Sequence, residues 1–202
     1  MKNSFKLFDF MGTPVYLKYW FFLFLLFGIN EFIIFFISIL IHELAHTYAA
    51  IKLKRPVENV CLDFLFGSAK INTDDSNYKD IILISIAGPL SNLVLFVISY
   101  LIVDFIDSDI FIYGFLKLFL FYNLLMFIGN MLPIYPIDGG RIIKAICQWT
   151  TNPTIGRKIS GTISIISSII LLIFSLYLSM YILSIFCLLF IYLGYNELKE
   201  KY

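Results

Sequence analysis

Histidine and cysteine are scarce in these 202 residues, with two of the first and three of the second. Cys61, Cys147 and Cys187 are odd in number, widely spaced and free of any C-x-x-C pair, which argues against a disulfide framework and against a cysteine-built structural zinc site. Charge is scarce as well: 14% of the residues are charged, against 60% hydrophobic and 18% aromatic. A soluble globular domain needs far more polar surface, so the composition excludes that class and indicates a polytopic membrane protein. A formal net charge of +1 gives no basis for a nucleic-acid partner. The sequence has no internal repeat, linker or low-complexity stretch. The first apolar run, Tyr19 to Phe27, is not followed by a small-residue cleavage site, so it reads as a retained span and not a signal peptide.

Both histidines fall in one place, His42-Glu43-Leu44-Ala45-His46. Chance placement would put the only two histidines four apart with a glutamate after the first roughly once in four thousand such chains. On a helix, residues four apart lie one above the other on the same face, where two imidazoles can reach one metal ion. Two neutral imidazoles suit Zn²⁺, and a neighbouring carboxylate can take a proton from a water at the position the protein leaves open. The predicted helix runs from about Glu31 to Lys52, long enough to cross a bilayer, and His42 lies near its middle, ~15 Å from either end. Polar side chains at that depth mark a functional site.

The remaining spans follow from the apolar runs. A third covers about Ile81 to Val103, with Gly88-Pro89-Leu90-Ser91-Asn92 inside it. A fourth covers Ile110 to about Met131 and carries Lys117, Asn123 and Asn130. Ser160 to Tyr195 is too long for one span, and its break is expected near Tyr177 to Tyr181. Two prolines and two glycines keep Asn130 to Arg141 from being a plain helix, while Ile142 to Trp149 reads as helical. Strands are predicted at Gly12 to Leu17, Val57 to Asp63 and Ser68 to Ile71. The apolar corner Phe64 to Gly67 between the last two reads equally as a hairpin tip dipping into the membrane edge or as a surface turn. The fold expected is therefore all-α and polytopic, with about six transmembrane helices and a small cytoplasmic-side β-hairpin or sheet. With the amino terminus inside, segments 1–18, 52–80, 132–158 and 196–202 hold every lysine and arginine except Lys117, in accord with the positive-inside tendency.

Three motifs together, His42-Glu43-Leu44-Ala45-His46, Gly88-Pro89-x-x-Asn92 and Asn130-x-x-Pro133-x-x-Pro136-x-Asp138-Gly139, strongly resemble the site-2 protease family of intramembrane zinc metalloproteases. Their order looks most like that of the stage IV sporulation protein FB group. The resemblance implies one Zn²⁺ per chain, held by His42, His46 and Asp138, with Glu43 as the catalytic residue. It matches Asn92 and Asn130 to polar residues that support the active site. It implies a bacterial cell-membrane protein, its site open to the cytoplasm, that cleaves a membrane-anchored substrate such as a sporulation sigma-factor precursor, with regulatory membrane proteins as further partners. Residues 1–202 are expected to form a single metalloprotease domain, without the PDZ-like or CBS modules found in relatives. Asp138 also reads as a turn residue before two glycines, although two histidines leave a catalytic zinc one protein ligand short. The rival reading is a non-catalytic membrane protein that handles metal or retains a client. A metal carrier would need further intramembrane carboxylates or histidines, and the spans offer almost none.

Topology follows from charge alone. Reporter fusions after Asp75 and after Lys158 are expected to read cytoplasmic and one after Asp107 external; opposite signs would overturn the arrangement.

Overall fold

The computed structural model describes residues 3–63, 68–71, 77–106 and 111–199. The chain divides into two compact units, Met1–Ser76 with Ala87–Ile128 and Asn77–Ile86 with Gly129–Tyr202. Among the described residues, five helices are long and apolar enough to cross a membrane: α1 (Ile29–Lys52), α2 (Tyr78–Val103), α3 (Phe111–Asn130), α5 (Pro153–Tyr177) and α6 (Tyr181–Lys199). A shorter α4 (Asp138–Thr150) precedes the last two. This is a multi-pass membrane protein. The first expected span differs: Tyr19–Leu26 is a 3-10 helix of eight residues. At ~2 Å per residue it reaches ~16 Å, about half of a ~30 Å hydrocarbon core.

The first unit is built around a four-stranded sheet in the order β1-β2-β3-β4. Strands β1 (Ser4–Phe10) and β2 (Thr13–Lys18) pair antiparallel across the two-residue loop Met11-Gly12. Both loop residues have positive φ, 50° and 83°, the backbone that lets a tight hairpin follow the strands' twist and that glycine adopts without steric cost. β2 then pairs parallel with β3 (Val57–Leu62), and β3 antiparallel with β4 (Ser68–Ile71). Parallel neighbours require a long crossover, and here the crossover is the 3-10 helix followed by α1. Lys18 donates to Asp63 at 2.6 Å beside this parallel pair, and that hydrogen bond raises the Lys18 ammonium above the ordinary lysine value.

Alternation along β2 buries Thr13, Val15 and Leu17 on one face. Val15 and Leu17 join Phe21, Phe24, Val60 and Leu62 in a core against which Phe32, Phe35, Phe36, Ile39, Leu40 and Leu44 of α1 pack. The sheet thus lies along the stretch of α1 that leads into the histidine motif. The strands expected at positions 57–63 and 68–71 are present. β1 was not foreseen, because its pattern leaves Phe5 and Phe8 exposed and gives no buried stripe. The corner Phe64 to Gly67 and the external fusion point Asp107 lie outside the described residues.

In the second unit, α4 begins at Asp138, ahead of the helical stretch expected from Ile142. Its first turn rests on the preceding loop. A Cβ on Gly139 would stand 2.3 Å from the Leu132 carbonyl oxygen, and one on Gly140 would stand 2.4 Å from that of Ile134. Asn152 starts α5, its side chain accepting from the Ile155 amide at 2.8 Å, with Pro153 at the first helical position. The break expected near Tyr177 to Tyr181 falls there, between α5 and α6. These two helices cross at small residues, with a Gly161 Cβ position 3.2 Å from the Gly194 carbonyl oxygen, the close approach that membrane helices use in place of a hydrophobic drive. Lys144 of α4 donates to Glu197 of α6 at 2.6 Å, fixing the end of α6 beside α4.

Two glycines with opposite surroundings test this packing. A Cβ on Gly156 would stand 2.4 Å from the backbone nitrogen of Gln148, whereas one on Gly114 would meet nothing within 4 Å. In thermal unfolding in detergent, Gly156→Ala is expected to lose ~1–3 kcal/mol and Gly114→Ala to gain up to ~1 kcal/mol.

Candidate metal centre

His42, Glu43 and His46 are all buried, each 5% exposed, in the part of α1 that the sheet and its neighbouring helices cover. Thr47 ties its hydroxyl to the Glu43 carbonyl at 2.9 Å, so the polar side chain that follows the motif is satisfied within its own helix. The two imidazole rings stand nearly perpendicular, 84° apart, with centroids at 4.7 Å. Their Nε2 atoms face each other at 3.1 Å. Two nitrogens each ~2.0–2.1 Å from one tetrahedral ion stand ~3.3 Å apart. The pair is therefore spaced for one zinc ion.

Helix α2 completes the enclosure within the same unit. A Cβ on Gly88 would lie 2.3 Å from His46 Nε2 and 2.7 Å from His42 Nε2, so only glycine leaves the space in front of the two nitrogens open. Four residues on, and so on the same face of α2, Asn92 places Oδ1 2.6 Å from His42 Nδ1. The spacing Gly88-x-x-x-Asn92 thus serves both sides of one imidazole: clearance at Nε2 and a partner at Nδ1. Asn92 is fully buried, as an amide in a lipid-length helix has to be.

Asp138 and Asn130 belong to the second unit. Asn130 is the last residue of α3, half-buried. Asp138 is 6% exposed and opens α4, and the loop before it is held by the Tyr135 amide donating to Ser164 Oγ at 2.9 Å. Arg141, one turn on, lies 4.0 Å from the Asp138 carboxylate with its own side chain half exposed. A buried carboxylate in the first turn of a helix is favoured by the amide dipoles there. The solvated-turn reading of Asp138 does not hold.

Two contributions escaped the sequence. Gly88 stood in the sequence only as one residue of the Gly88-Pro89-x-x-Asn92 motif, whereas what it does is clear the front of the imidazole pair. Asn123 was noted as a polar residue of its span and given no role, yet it is fully buried and hydrogen-bonded to Asn92 at 2.9 Å. The available signal was an amide at the centre of an apolar helix.

A histidine pair at helical spacing, with a glutamate beside the first, inside a helix able to cross a membrane is the arrangement a zinc-dependent membrane peptidase would use, and three comparisons bear out the resemblance to the site-2 proteases. The model of Peptidase family M50 matches residues 107–174. The chain is 33% identical, over 98% of its length, to the zinc metalloprotease MJ0392 of Methanocaldococcus jannaschii, of which the match covers 61%. It is 32% identical, over 52% of its length, to the stage IV sporulation protein FB of Bacillus subtilis, of which the match covers 36%. The solved site-2 protease from Methanocaldococcus jannaschii has the same fold, with a TM-score of 0.70 at 28% identity, covering 98% of this chain and 97% of that one. The chain thus spans less than two thirds of the length of these curated relatives.

Gly88→Ala puts a methyl group where the ion would sit. Zinc retained by the purified protein is expected to fall at least ~10-fold, a loss on the scale of disturbing a metal site's surroundings, while the melting temperature of the zinc-free protein changes little.

Proposed function

We propose that this chain hydrolyses a peptide bond in a membrane-anchored protein, using one zinc ion held by His42, His46 and Asp138. The observation that carries the reading is the pair of Nε2 atoms 3.1 Å apart in front of the glycine that keeps their approach clear. Asp138 is assigned as third ligand because two imidazoles leave a catalytic zinc one ligand short, because its carboxylate is buried, and because its motif matches that of the resembling family. When bound, zinc supplies Lewis acidity to a substrate carbonyl and to a water. Glu43, next to His42 and buried with it, takes the proton of that water and returns it to the leaving amine. Asn92 holds His42 in place, and Asn130 is assigned to active-site support because its motif matches that of the resembling family.

A substrate has to be extended to offer its backbone to such a site. β4 lies at one edge of the sheet, and an edge strand can pair with an extended segment. The charge distribution supports a site opening to the cytoplasmic side, and the likeness to the sporulation protein supports a bacterial cell membrane. The likeness to the sporulation protein supports an anchored sigma-factor precursor as substrate, with membrane proteins regulating access.

Co-expression with candidate single-pass substrates tests the assignment. Glu43→Gln is expected to cut cleavage at least ~10²-fold with zinc content unchanged, whereas Asp138→Asn loses both cleavage and zinc. Normal cleavage by Glu43→Gln would defeat the hydrolase reading. Full zinc content in Asp138→Asn would remove Asp138 from the ligand set.

A further inference from the structure

Helix α3 buries one side chain fully, and that side chain is the amide of Asn123. The rest of the helix is partly or largely exposed, so the one side chain it buries fully inside the first unit is polar. A carboxamide within a lipid-length helix has to be hydrogen-bonded at every position, and Asn123 is. Its Nδ2 donates to Ser38 Oγ at 2.9 Å and to the Phe119 carbonyl at 2.8 Å. Its Oδ1 accepts from Asn92 Nδ2 at 2.9 Å. Asn92 Oδ1 in turn lies 2.6 Å from His42 Nδ1. Ser38 and His42 are one turn apart on α1, so the chain of bonds leaves α1, passes through α3 and α2, and returns to α1.

The direction of this chain is fixed at one end. A backbone carbonyl can only accept, so the Asn123 atom facing Phe119 has to be the nitrogen, and its oxygen has to face Asn92. Asn92 must then present its own nitrogen to Asn123 and its oxygen to His42. An amide oxygen also only accepts, so the proton of the neutral ring sits on Nδ1. His42 Nε2 then carries no proton, and its lone pair faces the point it shares with His46.

The opposite polarity is dangerous because it would satisfy the two rings just as well, and only the clash it sets up between the Asn92 and Asn123 oxygens opposes it. If the Asn92 amide turned over, its nitrogen would donate to a bare Nδ1, and His42 would carry its proton on Nε2. At 3.1 Å from His46 Nε2, that proton would make a hydrogen bond between the two imidazoles. Both rings would be content and the metal-facing nitrogen blocked.

We propose that Asn123 is a positioning residue that sets the tautomer of His42 through Asn92, holding Nε2 in its metal-binding form. The purpose of the device rests on the zinc reading above, but its test does not require catalysis. The chain has two histidines, so labelling with histidine ¹⁵N-enriched in the ring alone reports four ring nitrogens and nothing else. In zinc-free protein at alkaline pH, wild-type His42 is expected to show the Nδ1–H tautomer. Asn123→Leu is expected to give a mixture of tautomers and to raise the zinc dissociation constant at least ~10-fold, the usual scale for losing a partner of a metal-binding histidine. Asn92→Leu should weaken zinc by at least as much, and Asn123→Leu added to it should weaken zinc no further, because the relay acts through Asn92. Ser38→Ala leaves the Phe119 carbonyl in place and should leave the tautomer unchanged.

An Nε2–H tautomer in the zinc-free wild type would overturn the proposal without any variant. So would an Asn123→Leu protein that melts lower yet keeps both the tautomer and the zinc affinity of wild type, since that is the behaviour of a packing residue. A failure of Glu43→Gln to stop cleavage would leave the tautomer result standing.

Discussion

Two imidazoles and a carboxylate buried in the middle of a lipid-length helix are unfavourable unless each polar atom has a partner. Most of the first unit can be understood as the supply of those partners. α2 contributes an amide at Nδ1 of His42 and an absence of side chain at Nε2. α3 contributes the amide that orients the first one. These demands also explain why polar residues recur at the centre of apolar helices here: Ser38, Asn92 and Asn123 are each fully buried, and each has a specific bond to make.

The sheet answers a different need. The 3-10 helix is too short to cross lipid, so the flank of α1 from Phe32 to Leu44 is covered instead by β2, β3 and the 3-10 helix. A sheet at that position brings hydrogen-bonding backbone close to the motif, tolerated because strand pairing satisfies most of it. The edge strand is where that satisfaction ends, and therefore where an incoming extended segment has something to gain.

The second unit solves a problem of precision in the backbone. Gly139 and Gly140 let the first turn of α4 lie on the carbonyls of Leu132 and Ile134. The Ser164 hydroxyl and the Lys144–Glu197 pair then hold the loop and the helix to α5 and α6. Asp138 is thereby buried on a stretch of backbone fixed by those contacts, as the ligand role proposed for it would require.

The sequence by itself determined the membrane class, the helix bearing the histidines, most of the helix ends and the likeness to the site-2 proteases. Those features rest on local chemistry: a hydrophobic run of sufficient length, an i, i+4 repeat, a proline where a helix cannot continue. Tertiary structure decided the rest. The run at Tyr19 had enough hydrophobicity for a span but lacked the length, and only the crossover it forms shows what it became. Gly88 could be read only as a glycine until the imidazoles were seen beside it, because a missing Cβ carries no information about what fills the space. Asn123 was visible as a polar residue in the wrong solvent. Its partner, and the direction in which its amide must point, depend on a carbonyl of α3, a hydroxyl of α1 and an amide of α2 that periodicity along one helix cannot bring together.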